Sequence, residues 1–263
     1  PVHQVESDEY TAARGRNLLV NRMGGSRDFD KEFRHRFDKC LICGSCLTQC
    51  PQGIAIDLLT LGVREVMVRE KGLGLAKRAV FRWLMRNRER FGKVLAMAHS
   101  LQRFLPKGEG KIRHLPMFLS SLGAGRRIPE IAPVFLRDQV EEVSSPAPGM
   151  PRSMRTGLFM GCAIDYVFPE IGKKIIRFLN RHGVEVVIPM EQGCCGLPVI
   201  GAGDRSTARE MARKNAEAFR DVDLVVTGCA TCGSALKDYG TFFGKEDTGE
   251  LFHEFSRKVR DFS

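Results

Sequence analysis

The chain has 263 residues, 43% of them hydrophobic and 27% charged, with a net charge of +10. That length supports one large or two modest domains, and the composition is that of an ordinary soluble globular protein. No apolar run approaches the eighteen or so residues that span a bilayer, and no secretion signal precedes the first residue, Pro1.

Residues 1–63 read as helices around a cysteine run. Apolar spacing in 15–20 and 54–59 suits helices that flank it. The run itself is Cys40, Cys43, Cys46 and Cys50, followed by Pro51, a CxxCxxCxxxCP spacing. Three thiolates at intervals of three can wrap one four-iron cubane, with Gly44 letting the backbone pass close and Pro51 ending the wrap. A structural zinc site normally uses two separated CxxC pairs instead.

Residues 64–105 continue as one or two amphipathic helices, with Val66, Leu75, Val80, Phe81, Leu84, Val94 and Leu95 expected to pack and Gly72 and Gly74 as breaks. Fourteen Lys and Arg stand against four Glu between Arg64 and Arg113, a surplus equal to the whole net charge. Such a stretch fits solvated helix faces, an anionic membrane surface or an acidic protein. It carries little aromatic interleaving and no nucleic-acid motif, so no nucleic-acid partner is expected. Seven of the twelve prolines lie between Pro106 and Pro151, and 144–151 reads as a linker.

From 155 onward short β-like runs alternate with helices. Strands are expected at 157–160, 184–188 and 223–227, with helices at 168–182, 206–220 and 232–242. Pro169 opens the first helix and Gly183 stops it, while Thr207 and Glu210 have capping-box spacing in the second. Right-handed crossovers turn this order into a parallel sheet with helices on both sides. Cys162, Cys194, Cys195, Cys229 and Cys232 then fall just beyond the carboxyl ends of strands, where open α/β sheets build their sites.

Nine cysteines grouped as four and five, with tight CxxC spacings, argue against a disulfide framework and for reduced thiols used as metal ligands. Adjacent Cys194 and Cys195 could form a vicinal disulfide or be buried structural thiols. Five thiolates exceed the four that one zinc ion needs, which favours iron and sulfide over the zinc alternative. The six histidines are scattered and none lies within four residues of a cysteine, so none is read as a ligand. Gly201-Ala202-Gly203 is too degenerate for a phosphate loop and more simply shapes the turn into a helix capped by Asp204 or Thr207. Asp165 and Tyr166 could line the second cysteine site, although a helix-entry role suits them better. No catalytic side chain is assigned.

The pattern Cys162…Cys194-Cys195-Gly196…Cys229-x-x-Cys232 resembles the cysteine-rich CCG domain of glycolate oxidase iron–sulfur subunits. That domain recurs in heterodisulfide reductase, lactate-utilisation and anaerobic glycerol-3-phosphate dehydrogenase subunits. Ala13-Arg14-Gly15-Arg16 before a helix is similar to the stretch after the first ferredoxin motif in glycolate oxidase subunits.

The resemblance implies three segments: a ferredoxin-type 4Fe-4S helical domain over 1–63, a basic helical region and linker over 64–154, and an α/β CCG domain over 155–263. Family members carry two ferredoxin motifs and two CCG repeats, against one of each here. The expectation is therefore an internal stretch of a longer protein, with Pro1 as the proline after a preceding cysteine. On the two-cluster geometry Cys40, Cys43 and Cys46 serve one cluster and Cys50 the other.

The function implied is electron transfer from an FAD-containing dehydrogenase subunit of a 2-hydroxy-acid (glycolate or lactate) complex to a quinone or other acceptor. Its cofactors would be a ferredoxin-type [4Fe-4S] cluster and a second [4Fe-4S] cluster, cubane or noncubane, at the CCG site. Its place would be cytoplasmic, with peripheral contact at the inner membrane face where a quinone or membrane-surface partner is used. The alternatives are a heterodisulfide-reductase-like subunit that reduces a disulfide at the CCG cluster, and a zinc-stabilised interaction module.

Overall fold

The computed structural model describes residues 2–23, 29–102, 107–108, 111–112, 128–244 and 249–262. Pro1, Pro106, Pro116, Arg103 and Arg113, on which some expectations rest, lie outside these. The chain divides into two compact units, 1–79 with 196–208, and 80–195 with 209–263. The boundaries expected at 63/64 and 154/155 do not coincide with this division.

The first unit is helical. Its main helices are α1 (Ala13–Met23), α2 (Lys31–Asp38) and α3 (Ile56–Lys71). Asp30 caps α2, its Oδ1 accepting the Phe33 N–H at 2.7 Å, a bond worth about 1 kcal/mol. Phe29, Phe33 and Phe37 recur every fourth residue, a spacing that puts them on one helix face. They stack in series, with centroids 5.4 and 4.6 Å apart, and close a core with Met67. Burying each such side chain contributes about 1.5–3 kcal/mol. Gly15 fits because the backbone of Glu9 lies against it: a Cβ there would sit 2.1 Å from the Glu9 carbonyl oxygen. Gly72, at φ +72, ends α3 as expected, and a short helix resumes at Leu75–Arg78.

The second unit contains α4 (Arg88–Gln102), preceded by a π-helical turn at Ala79–Met85, and an α/β layer. The strands are β1 (Val143–Ser144), β2 (Met154–Leu158), β3 (Val184–Val187), β4 (Leu224–Thr227) and β5 (Val259–Asp261). They lie in the order β1-β3-β2-β4-β5. Between them run α5 (Gly161–Tyr166), α6 (Pro169–Arg181), α7 (Arg205–Ala218), α8 (Ala230–Lys237), α9 (Tyr239–Phe243) and α10 (Gly249–Lys258). The three expected strands pair in parallel, Gly157 opposite Val187 and Val225.

The wholly parallel sheet is corrected at one edge. β1 runs antiparallel to β3, Val143 opposite Val187, so the sheet is mixed. The start of the segment read as linker is this two-residue edge strand, too short for any periodicity to register. Beyond 242, α10 and the parallel edge strand β5 complete the unit. The helix expected at 232–242 is two helices, α8 and α9, that break at Asp238.

Both faces of the sheet are covered. Leu158, Val186 and Val226 meet Ile175 and Ile176 of α6 with Leu136 and Ile164. On the opposite face Gly157 admits Phe219, whose ring a Cβ would meet at 2.4 Å. Phe219 continues into Phe255 and Tyr239. Asp204, not Thr207, begins α7: its carboxylate accepts the Thr207 N–H at 3.4 Å and the Thr207 hydroxyl at 3.0 Å.

The basic stretch is also corrected in part. Leu75 is 85% and Val80 42% exposed rather than packed, whereas Arg64 and Arg88, counted in the surface excess, are largely buried. No described helix is long and apolar enough to cross a membrane.

Candidate metal centres

In the first unit Cys40 follows the last turn of α2. The chain then passes through Ile42 at φ +52 and Gly44 at φ +69 before the short helix Ser45–Thr48. A left-handed conformation is costly for a β-branched residue, and here it falls between two cysteines. Cys40, Cys43 and Cys46 line one cavity of about 510 Å³, with Arg16, Ser45 and Gln49 also on its walls. Cys50 is not on that wall. It lies by the turn Pro51–Gly53, where the N–H groups of Ile54, Gln52 and Gly53 hold its thiol below the ordinary range. Cys43 is lowered too, by the Ser45 hydroxyl 3.3 Å away and the Ser45 N–H.

The residue that anchors this loop was not singled out by the sequence pattern. Arg64 of α3 donates to the carbonyls of Phe37 (2.6 Å), Asp38 (3.1 Å) and Cys40 (2.7 Å), and to that of Gly201 (2.6 Å). It satisfies the orphan carbonyls at the end of α2 and so fixes the backbone at the first cysteine. Burial pushes its pKa down.

In the second unit the five cysteines come from three strand ends. Cys162 lies in the first turn of α5, beyond β2. Cys194 and Cys195 lie in the loop after β3. Cys229 lies beyond β4 and starts α8, which carries Cys232. Gly161, at φ +59, would place a Cβ 3.0 Å from Cys232 Sγ, so only glycine lets these two segments approach. Cys194, Cys195 and Cys232 are buried and Cys162 and Cys229 half-buried. The Cys162 thiol hydrogen-bonds Cys194, which with burial raises its pKa. The Cys232 thiol hydrogen-bonds Cys195 and Cys229 and is raised likewise. Cys229 is the acceptor in that contact. The Cys232 thiol and then the N–H groups of Cys232 and Thr231 lower it to about 5, against burial.

A fully buried polar frame holds the adjacent pair. Asn215 Oδ1 accepts the Gly193 N–H at 2.8 Å, and its Nδ2 donates to the Cys194 carbonyl (3.0 Å) and to Tyr239 Oη (3.1 Å). Tyr239 in turn donates to the Cys195 carbonyl at 2.8 Å. Gln192 ties the same loop to the end of β2, accepting the Met160 N–H and donating to the Leu158 carbonyl. No spacing rule marks Asn215, Tyr239 or Gln192; their signal is burial.

Asp165 serves neither a ligand nor a helix-entry role. It is fully buried, paired with Arg88 and accepting from the Arg137 N–H and Nε at 3.1 Å, and it anchors α5 three residues after Cys162. Tyr166 packs edge-on between Phe91 and Phe135.

Nine thiols in two groups supply the soft donor set that iron–sulfur clusters or zinc take. Among the described residues no three His, Cys, Asp or Glu side chains converge as ligands of one metal ion. The five CCG thiols are instead distributed over two hydrogen-bonded sets, Cys162–Cys194 and Cys195–Cys232–Cys229.

The family comparison matches this unit. Residues 156–237 fit the model of the cysteine-rich CCG domain. This segment is a CCG domain. Over a longer span, the chain is 33% identical to an uncharacterized iron–sulfur protein of Methanococcus maripaludis, across 80% of this chain and 35% of that protein. It is 28% identical to a probable glycolate oxidase iron–sulfur subunit of Bacillus subtilis, across 97% of this chain and 59% of the relative. Around the CCG domain it is 41% identical to one subunit of the fumarate reductase (CoM/CoB) of Methanothermobacter marburgensis, across 32% of this chain and 18% of that subunit. The chain thus spans less than two thirds of each of these proteins. No solved structure matches it significantly.

Proposed function

We propose that the chain is an iron–sulfur electron-transfer subunit of a flavin-dependent 2-hydroxy-acid dehydrogenase complex acting on glycolate or lactate. An FAD-containing subunit would deliver the electrons, and a quinone or other acceptor, met at the cytoplasmic face of a membrane, would receive them. Substrate chemistry would lie on the partner. The observation that carries the reading is the CCG loop: two adjacent thiols whose carbonyls are clamped by the buried Asn215 and Tyr239, with three further thiols brought in from two other strand ends. The named relatives, a glycolate oxidase iron–sulfur subunit among them, support it.

Cys40, Cys43 and Cys46 would hold one [4Fe-4S] cluster, Cys50 would serve a different one, and Cys162, Cys194, Cys195, Cys229 and Cys232 would hold a further four-iron cluster. Bound there, such clusters supply one-electron redox chemistry. The protein's own part is ligation, burial of Cys194, Cys195 and Cys232, and hydrogen bonding around them, the levers that set a potential. Thiols spread over two contacts, with no single-ion convergence among the described residues, favour a multi-iron group over one zinc.

Anaerobic purification followed by iron, sulfide and zinc analysis and EPR tests this. Iron and sulfide in equal amounts are expected; stoichiometric zinc without sulfide overturns it. The local match to the fumarate reductase (CoM/CoB) favours a second reading, reduction of a disulfide at the CCG site. Disulfide turnover with a low-potential donor, in the absence of the flavoprotein, would establish that reading in place of the relay.

A further inference from the structure

The outward face of α4 is built unlike the rest of the surface. Helical geometry, about 100° per residue, puts Arg90, Lys93, Met97 and Leu101 in one row. Met97 is 68% and Leu101 64% exposed. Trp83, 56% exposed, joins the head of this row, because the Arg90 guanidinium sits 5.3 Å over its ring. The inward face is fully used: Phe91 packs on Tyr166, and the buried Gln102 both accepts the Ile131 N–H and donates to the Ile131 carbonyl. The helix is therefore fixed in rotation, with an indole, a thioether and a Leu held in water alongside cations. Glu89 is the one carboxylate between residues 80 and 101, and it lies about 100° round the helix from Arg90.

We propose that this row is a monotopic docking surface for an anionic lipid bilayer. Charge complementarity selects the occupant: two cations flank the apolar side chains and no carboxylate lies in the row. An indole, a thioether and an isobutyl group seat in the headgroup–acyl boundary, while Arg90 and Lys93 extend their stems along it toward the phosphates. A fluid surface needs no shape-matched pocket, and the row has none. The proposal deepens the peripheral location in the function proposed above and rests on that part alone, so cluster content is measured separately.

Trp83 is the only tryptophan, so its emission reports the row directly. The 263-residue chain, with iron and sulfide content recorded, is titrated with phosphatidylcholine vesicles and with vesicles containing phosphatidylglycerol. A blue shift and co-sedimentation are expected with the anionic vesicles alone, fading as salt rises. Lys93→Glu should weaken binding about fivefold or more. Met97→Asp with Leu101→Asp should weaken it further, with circular dichroism and iron content unchanged in both variants. Absence of binding at low salt, equal binding to neutral vesicles, or unchanged binding by folded variants overturns the proposal. So does protection of Trp83 from quenching by an added flavoprotein and not by vesicles, which would assign the face to a protein partner.

Discussion

The two cysteine sites solve the same problem in opposite ways. The Cys40–Cys50 site is written into one loop: eleven residues carry all four thiols, and its geometry depends on local turns, the left-handed Ile42 and Gly44, and one long-range anchor, Arg64. The CCG site gathers five thiols from three segments of a sheet and holds its loop with Gln192, Asn215 and Tyr239, all buried. A loop site is specified by spacing and shaped by what it binds. A strand-end site is specified by the fold and largely formed beforehand.

The sharpest way to break that contrast is ligand deletion. Cys194→Ser should abolish the CCG iron and leave the loop-site iron, while Cys46→Ser should do the reverse. Cys50→Ser should leave the cluster of Cys40, Cys43 and Cys46 in place. Iron and sulfide counts with EPR on each variant decide this, and loss of that cluster in Cys50→Ser would show the run to be self-contained.

Next in size is Asp165→Asn. It leaves Arg88 and Arg137 facing a neutral amide in a buried setting, and denaturant unfolding should register a loss of about 3–5 kcal/mol. Tyr239→Phe removes a single buried donor from the Cys195 carbonyl and should cost about 1–3 kcal/mol. The EPR signal of the loop site should not change in that variant.

The smallest effect is on reactivity. In the metal-free chain Cys229, at about 5 against an ordinary thiol value of 9.0, should be the CCG thiol alkylated fastest at neutral pH, followed by peptide mapping. A pKa lowered on folding stabilises the folded metal-free chain fully above the unfolded value. That contribution fades as pH falls and is lost through about 5. Alkylation at Cys229 should fall away over the same acid range, and a rate that stays flat down to about pH 4, below that value, would refute the assignment.

Much of this was legible in the chain because cysteine spacing and strand periodicity are local signals. The strands β2, β3 and β4 and the helix α6 between Pro169 and Gly183 could be read directly, and with them the convergence of five thiols at strand ends. β1 could not, since two residues carry no period, and its antiparallel pairing depends on a distant partner, Val187 for Val143. Arg64 and Arg88 read as surface charge because a buried guanidinium looks like any other until its carbonyl and carboxylate partners are known. Asn215 and Tyr239 were invisible for the same reason. Their role is defined only by which main-chain groups the fold brings within 3.1 Å.

Asn215 has one further consequence. Its amide is filled at every position: one acceptor bond from an N–H, and two N–H bonds to separate oxygens. A side chain used in this way reads polarity as well as position. Aspartate, its near-isostere, would keep the first contact and turn two attractions into oxygen-to-oxygen repulsion against Cys194 and Tyr239. The loop that carries the vicinal thiols therefore tolerates cavity-sized changes nearby better than a one-atom exchange of nitrogen for oxygen at this residue. A screen of substitutions should find position 215 closed to Asp while more distant core positions accept larger differences in shape.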